Sequence, residues 1–385
     1  ISLSDLDDEA MRHAKDWPFP LRRAMANNSA IYIQKPTAAQ FLREWADLAS
    51  SGTGERGIFN LDGARKSAPS RRNSNLIAGT NPCGEIMLRD QEFCNLSEVV
   101  VKENDDLDAL LDKVETATWM GVIQSTFTDF PYLREKWKKN CEVERLLGVS
   151  LTGMCDNLDV LTSDALKALK SRALRISRKA SEILGVQNSK AVTCVKPSGT
   201  VSQLVNSASG MHPRYSKYYL RRYRISATDP LYKMMKDQGM KFYSEVGQNN
   251  GRPTTYVCEY GISTNPLCCS RGDLGAINQL ELYKLVQQNW CEHNASLTVY
   301  VKDDEWFEVG NWVYRNWDII NGVSFLPFDG GKYELAPYLE ITKDKYEEVI
   351  KKTPQIDYSK LNKYEKDDNT SGSREYACVG DKCEI

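Results

Sequence analysis

A thiol, a carboxylate and an amide stand at alternate positions in Asn81-Pro82-Cys83-Gly84-Glu85. In an extended segment residues i, i+2 and i+4 share one side, so Asn81, Cys83 and Glu85 are expected to converge on one ligand-sized space. Pro82 stiffens the segment and Gly84 admits a close backbone. The plainer reading is a surface turn with a structural cysteine. Cys94 follows in Glu92-Phe93-Cys94-Asn95-Leu96. A thiol there is either a redox partner or a buried cysteine opening the apolar stretch around Leu96 and Val99. Cys378 and Cys383 end the chain, with four residues between them. Two thiols on a mobile arm can reach a pocket, reduce a disulfide there and swing out to be re-reduced. Half a zinc site is the alternative, but no second Cys/His pair at ligand spacing occurs in the sequence.

Lys196-Pro197-Ser198-Gly199-Thr200 follows a short apolar run, and Val201-Ser202-Gln203-Leu204-Val205 can open a helix. Amides at a helix start, with Ser198 and Thr200 hydroxyls and the freedom of Gly199, form a phosphate cradle; an ordinary glycine turn is the competing reading. The spacing is not that of a Walker A loop, so ATPase chemistry is not implied. Gly52-Thr53-Gly54-Glu55-Arg56-Gly57 satisfies G-x-G-x-x-G, but a helical pattern (Phe41, Leu42, Trp45, Leu48) precedes it where a strand is required, and a dinucleotide site is rejected. His13, His212 and His293 are too scattered for a metal cluster or a Ser/His triad and read as structural, as do Cys268-Cys269 and Tyr218-Tyr219.

The elements that must position these residues follow α/β grammar. Apolar positions recur at helical spacing from Leu107 through Leu110, Leu111 and Val114 to Val122, after the acidic start Asp105-Asp106. A second helix is expected from a cap at Ser163 or Asp164 through Leu166, Leu169, Ala173, Ile176, Ala180 and Ile183 to a stop at Gly185. Residues 190–195 then read as a buried strand running into the phosphate loop. The order repeats with a helix near 278–290 and an alternating strand at Leu297, Val299 and Val301. Ligand loops belong at such strand ends. From Thr353 the composition turns to Lys, Asp, Asn, Ser and Gly, which reads as a tail over 353–385 after a domain over 1–352.

Composition narrows the function classes. Of 385 residues 41% are apolar and 26% charged, with 50 basic against 52 acidic side chains. That balance asks for neither nucleic acid nor an anionic membrane. No apolar run approaches the ~20 residues of a membrane span, and the acidic N-terminus is unlike a signal or transit peptide, so a cytoplasmic protein is expected. Eleven cysteines, an odd number, fit reduced thiols better than a secreted disulfide framework.

Taken in order, Asn81-Pro82-Cys83-Gly84-Glu85, Cys94-Asn95-Leu96-Ser97-Glu98, Lys196-Pro197-Ser198-Gly199-Thr200-Val201-Ser202, Gly210-Met211-His212-Pro213-Arg214 and the terminal Cys378-x4-Cys383 resemble a ribonucleotide reductase large chain. The pattern is most similar to the monomeric, adenosylcobalamin-dependent (class II) ribonucleoside-triphosphate reductases, helped by the short interval from Cys83 to Cys94 and by Tyr219-Leu220-Arg221-Arg222. A glycyl-radical motif is not visible near the C-terminus, and Tyr218-Tyr219 comes too soon after the phosphate loop for the tyrosine relay of diiron-dependent relatives. The resemblance covers nearly the whole chain but only about the C-terminal half of such a reductase.

That resemblance implies the C-terminal part of a ten-stranded α/β barrel, with the radical cysteine on an inner finger loop. It implies that Cys83 becomes a thiyl and abstracts the ribose 3′-hydrogen, that Glu85 is general base to the 3′-hydroxyl, and that Asn81 hydrogen-bonds the substrate. Cys94 and a partner cysteine would supply two electrons as the 2′-hydroxyl leaves. Cys378 and Cys383 would reduce the resulting disulfide and be restored by thioredoxin, while Ser198, Gly199 and Thr200 would bind substrate phosphates. The partner of Cys94 is expected from an N-terminal part that this chain lacks, as it lacks the family's specificity region. The chain is therefore expected to be an incomplete gene product, one half of a split enzyme or a truncated piece of a longer sequence, and to be inactive or poorly soluble alone. The alternative from another class is a non-catalytic nucleotide-binding or thiol-redox adaptor that uses only the phosphate loop and the tail thiols.

Overall fold

Two long helices show how closely the apolar spacing dictates the architecture. Leu107–Gln124 starts where the Asp106 side chain accepts the Ala109 N–H, and it buries Leu110, Val114, Ala117 and Val122. Ser163–Leu184 is capped by Thr162, one residue earlier than the sequence suggested, and is stopped by Gly185 at φ +65°. Its buried stripe of Leu166, Leu169, Ala173, Ile176 and Ala180 packs beside the first helix, and both cover one side of a sheet. The computed structural model to which these elements belong describes residues 2–15, 27–245, 248, 253–265, 268–328, 335 and 337–365. Cys378 and Cys383, with most of the expected tail, lie outside the described residues.

The described residues of 1–214 and 271–329 form one compact unit, and those of 215–270 and 330–384 form another. The second unit thus falls largely within the 1–352 span that the sequence suggested as a single domain. In chain order the strands are β1 (Ser2–Ser4), β2 (Asn28–Tyr32), β3 (Gly57–Asn60), β4 (Gly79–Thr80), β5 (Met87–Leu88), β6 (Asn95–Val100), β7 (Leu147–Thr152), β8 (Thr193–Cys194), β9 (Tyr218–Ser226), β10 (Tyr243–Ser244), β11 (Thr255–Ser263), β12 (Thr298–Val301), β13 (Gly322–Pro327) and β14 (Tyr338–Glu340).

The first unit is built on two sheets, β1-β2-β3-β13-β12 and β6-β7-β8. Neighbours are parallel except at β3/β13, where Gly322 faces Phe59. One parallel bridge, Val195 to Ala295, links β8 to the segment that enters β12, so eight strands follow one another in space. This agrees with the part of an α/β barrel that the resemblance implies. Every residue of β7 is buried, as a parallel strand covered on both faces requires. The G-x-G-x-x-G stretch is a loop from the helix Ala38–Ser51 into β3, so the rejected dinucleotide context is absent.

The second unit is an antiparallel sheet, β10-β11-β9-β14, with helices Pro230–Asp237 and Lys343–Lys352. β9 and β11 pair over nine residues, from Tyr218 opposite Ser263 to Ser226 opposite Thr255. Met234, Met235, Met240 and Cys258 form its small core. Tyr219 is buried and packs against Tyr215 and Tyr338, in keeping with a structural reading.

Candidate active site

The Asn81–Glu85 segment is the tip of a hairpin, with β4 and β5 as its two short arms. It is not extended, as alternate-side convergence would require. The Asn81 carbonyl accepts the Gly84 N–H at 3.0 Å, closing a turn across Pro82 and Cys83, and Gly84 takes φ +81°, which a side chain would strain. The Asn81 Oδ1 accepts the Ile86 N–H at 3.0 Å, so this amide staples the loop and leaves only its Nδ2 for a ligand. Cys83 and Glu85 are brought to one place by the turn instead of by strand alternation.

Three successive carbonyls of the tip are pinned from one neighbouring segment. Ser296 Oγ donates to the Cys83 carbonyl, Asn294 Nδ2 to that of Gly84 at 2.9 Å, and the Asn294 N–H to that of Glu85 at 3.0 Å. Asn294 and Ser296 flank the Val195–Ala295 bridge, which ties the hairpin to the line where the two sheets meet. Neither residue belongs to a motif, and spacing gives no signal for them. His293 is structural, as expected: its Nδ1 accepts the Met87 N–H and its Nε2 meets the Leu147 carbonyl, while burial holds the imidazole well below its ordinary titration range.

Strand register sets what the hairpin faces. Leu96 pairs with Gly148, and Glu98 pairs with Ser150, which in turn pairs with Cys194. These residues share one face, and a Cβ added at Gly148 would meet Leu96 Cδ2 at 2.5 Å, Ile86 Cδ1 at 2.9 Å and Cys194 Sγ at 3.2 Å. Ile86 belongs to the hairpin, so this is the face onto which it packs. Glu85 is fully buried and neither carboxylate oxygen has a hydrogen-bond partner; Lys196 Nζ lies 3.6 Å from its Oε1. The Cys94 thiol is driven well up by burial and then by the Glu85 and Glu92 carboxylates, and that of Cys194 by burial, Glu85 and Cys94. Cys194 is therefore a second sulfur beside the site that motif reading did not single out. It is not a disulfide partner for Cys94, because β7 lies between β6 and β8 and two strand spacings, about 9–10 Å, exceed the ~7 Å Cα limit of a disulfide.

The loop after β8 contains the other expected residues. Ser198 is buried at φ +54° and its hydroxyl donates to Glu98 Oε2 at 2.6 Å. Burial pushes the Glu98 carboxyl up, against the opposing effects of Ser198 and Lys196. The Ser198 side chain is thus engaged, Thr200 is exposed, and the following helix Val201–Leu204 is a single turn. Beneath Cys94, Arg72 bridges Glu144 at 2.8 Å and Glu92 at 3.4 Å, and Arg89 also pairs with Glu144. With both arginines nearer Glu144, burial and the Glu144 charge push Glu92 up to about 8.

Residues 21–184 match the family described as ribonucleotide reductase, barrel domain. The mixed α/β fold of the described residues is in keeping with that match. The chain is similar over its whole length, at 27% identity, to the adenosylcobalamin-dependent ribonucleoside-triphosphate reductase of Lactobacillus delbrueckii subsp. bulgaricus, and covers 55% of that protein. The enzyme of the same name from Levilactobacillus brevis is 26% identical over 88% of the chain and 49% of its own length. A crystal structure of a B12-dependent (class II) ribonucleotide reductase superposes with TM-score 0.75 at 22% identity, over 98% of this chain and 56% of that one. The class Id reductase alpha subunit of Actinobacillus ureae superposes with TM-score 0.57 at 13% identity, over 84% and 70%. The structural likeness is one of fold, and the chain spans about half the length of the curated relatives it matches.

His293 and His212 both read as structural, since each uses both ring nitrogens, His293 as above and His212 through the Ser209 carbonyl and the Thr298 N–H. Among the described residues no three His, Cys, Asp or Glu side chains gather as they would around a metal ion. No described helix is long and apolar enough to cross a membrane.

Proposed function

We propose that this chain forms the C-terminal part of the catalytic barrel of a thiyl-radical ribonucleotide reductase acting on ribonucleoside triphosphates. The hairpin tip supports this reading most: a partly buried thiol stands two residues from a fully buried carboxylate whose oxygens are both unpartnered. Such a carboxylate is costly unless a ligand donates to it, and a ribose hydroxyl is a suitable donor.

In this reading Cys83 gives up its thiol hydrogen atom, and the thiyl takes the ribose 3′-hydrogen, re-forming S–H. Glu85 takes the 3′-hydroxyl proton as general base. Asn81 binds the substrate through Nδ2, its Oδ1 being held by Ile86. The 2′-hydroxyl leaves as water with a proton from Cys94 or its partner thiol. The two sulfurs supply two electrons and become a disulfide as the remaining thiol hydrogen goes to C2′; Cys83 then returns its hydrogen atom to C3′, regenerating the thiyl, and Glu85 returns the proton to the 3′-oxygen. Cys378 and Cys383 reduce that disulfide by exchange and are restored by thioredoxin. Ser198, Gly199 and Thr200 receive the phosphates through their backbone, since the Ser198 hydroxyl is given to Glu98. Adenosylcobalamin, the cofactor in the relatives' names, would supply the radical that starts the cycle when bound, and the partner of Cys94 is looked for in the stretch of those relatives that this chain does not span.

The test is reconstitution: the chain is mixed with the N-terminal part of a relative, adenosylcobalamin, thioredoxin and a ribonucleoside triphosphate, and 2′-deoxynucleotide is measured. Product that is lost in Cys83→Ser with nucleotide binding retained supports the reading. A co-eluting complex that binds nucleotide and forms no product, or a Cys83→Ser complex that still forms it, overturns it in favour of an adaptor.

A further inference from the structure

Lys196 opens the loop after β8, and its backbone is fixed at two points. Its N–H donates to Ser150 Oγ at 2.8 Å, and its carbonyl lies 2.4 Å from where a Cβ on Gly210 would stand, so the chain at Gly210 is packed hard against it. From this clamped position the side chain extends to Glu85, with Nζ 3.6 Å from Oε1. Among the described residues this is the one ion pair that Glu85 makes. The acidic groups facing the ammonium are Glu85, Cys83 and Glu98; burial works against its charge and these three outweigh it. Glu85 itself is faced by the thiols of Cys94 and Cys194, by Glu98 and by Lys196.

A fully buried carboxylate with no hydrogen bond is expensive to keep ionised, and a nearby cation is the usual compensation. A carboxyl that has taken up a proton cannot act as general base. The geometry points to Lys196 as a positioning residue for Glu85: its ammonium holds the buried carboxylate ionised beside Cys83, with both oxygens left open to a substrate hydroxyl. When that hydroxyl's O–H bond breaks, the proton passes to Glu85 and the negative charge to the substrate oxygen, while Lys196 keeps its own proton throughout. This inference rests on the general-base reading of Glu85, and it assigns to Lys196 a role separate from phosphate binding by the loop it opens.

The experiment needs no turnover. The full chain is labelled with carboxyl-13C glutamate, and the Glu85 infrared bands are isolated by difference against Glu85→Gln. At about pH 7 the parent is expected to show an ionised carboxylate, and Lys196→Met to lower the ratio of ionised to protonated Glu85 roughly tenfold or more. Lys196→Arg should restore it. Should Lys196→Met not fold, Lys196→Gln carries the same expectation with a polar side chain, and circular dichroism checks each variant. An unchanged Glu85 ratio in a folded Lys196→Met or Lys196→Gln chain overturns the inference. A changed ratio alongside failed reconstitution would leave the Lys196–Glu85 coupling standing and remove only the reductase reading.

Discussion

The Ser296 hydroxyl donates to the Cys83 carbonyl over 2.5 Å, so the residue that carries the thiol is held through its backbone. Asn294 does more: its Nδ2 serves Gly84 and Gly322, its Oδ1 accepts the Tyr283 hydroxyl, and the residue is fully buried. Removing Ser296 Oγ should cost about 1 kcal/mol, whereas Asn294→Ala strands several buried partners and should cost about 2–4 kcal/mol. Urea unfolding measures both. Ser296→Ala should also make Cys83 react several-fold faster with iodoacetamide, roughly as a loop freed of about 1 kcal/mol of restraint opens more often; an unchanged rate would show that the contact does not restrain the tip.

The glutamates around Arg72 predict a pH dependence. Glu92 is raised from 4.5 to about 8 by burial and by Glu144. Between those values the folded chain holds a proton that the unfolded chain has released, so this group's contribution falls as pH rises through the window. Glu144 is shifted the other way by its arginines, and its contribution is lost at lower pH, as the solution falls through its folded value. Glu92→Gln should flatten the decline between about pH 6 and 8.5 by roughly 1–2 kcal/mol. Parallel urea titrations at the two pH values check this, and an equal decline in both chains would refute it.

Gly148 should not tolerate a methyl group. Its neighbours Leu96, Ile86 and Cys194 come from β6, the hairpin and β8, so an alanine there must displace all three. The expected cost is about 1–3 kcal/mol. Thermal melting reports the loss, and maleimide trapping of Cys194 should become faster as the packing loosens.

Oxidation separates the sulfurs. Diamide treatment of the chain alone should not join Cys94 to Cys194, because β7 stands between them. With the N-terminal part of a relative present, Cys94 should enter a disulfide with a cysteine of that part. Peptide mapping under non-reducing conditions reads both results, and a Cys94–Cys194 peptide from folded chain would contradict the strand register.

Much of this fold was legible because helix and strand periods are written by burial. Leu107–Gln124 and Ser163–Leu184 lie close to where the spacing of their apolar residues puts them. β8 was expected over 190–195 and is confined to Thr193–Cys194, since only there does β7 offer a ladder. The hairpin was misread as extended because Pro82 and Gly84 suit either conformation, and what decides is the Asn81–Gly84 hydrogen bond. Cys83, Glu85 and Cys94 were visible as types at a spacing. Lys196 was visible only as the opening of the phosphate loop and not as a partner of Glu85, and Asn294, Ser296 and Cys194 were not visible, because they reach the site by the order of strands in space. The expectation of an α/β barrel part agrees with the described strands, which line up eight in succession.

The single bridge between Val195 and Ala295 has a mechanical consequence. The two sheets meet through this bridge and the backbone hydrogen bonds around it, from the Val195 N–H to the Asn294 carbonyl and from the Ser296 N–H to the Val195 carbonyl. Shear applied to the unit will therefore concentrate along that seam. Asn294 and Ser296 grip the hairpin from its very edge, so parting the seam and letting go of Cys83 are one motion. Amide exchange at Val195 and Ser296 would then track the release of the hairpin.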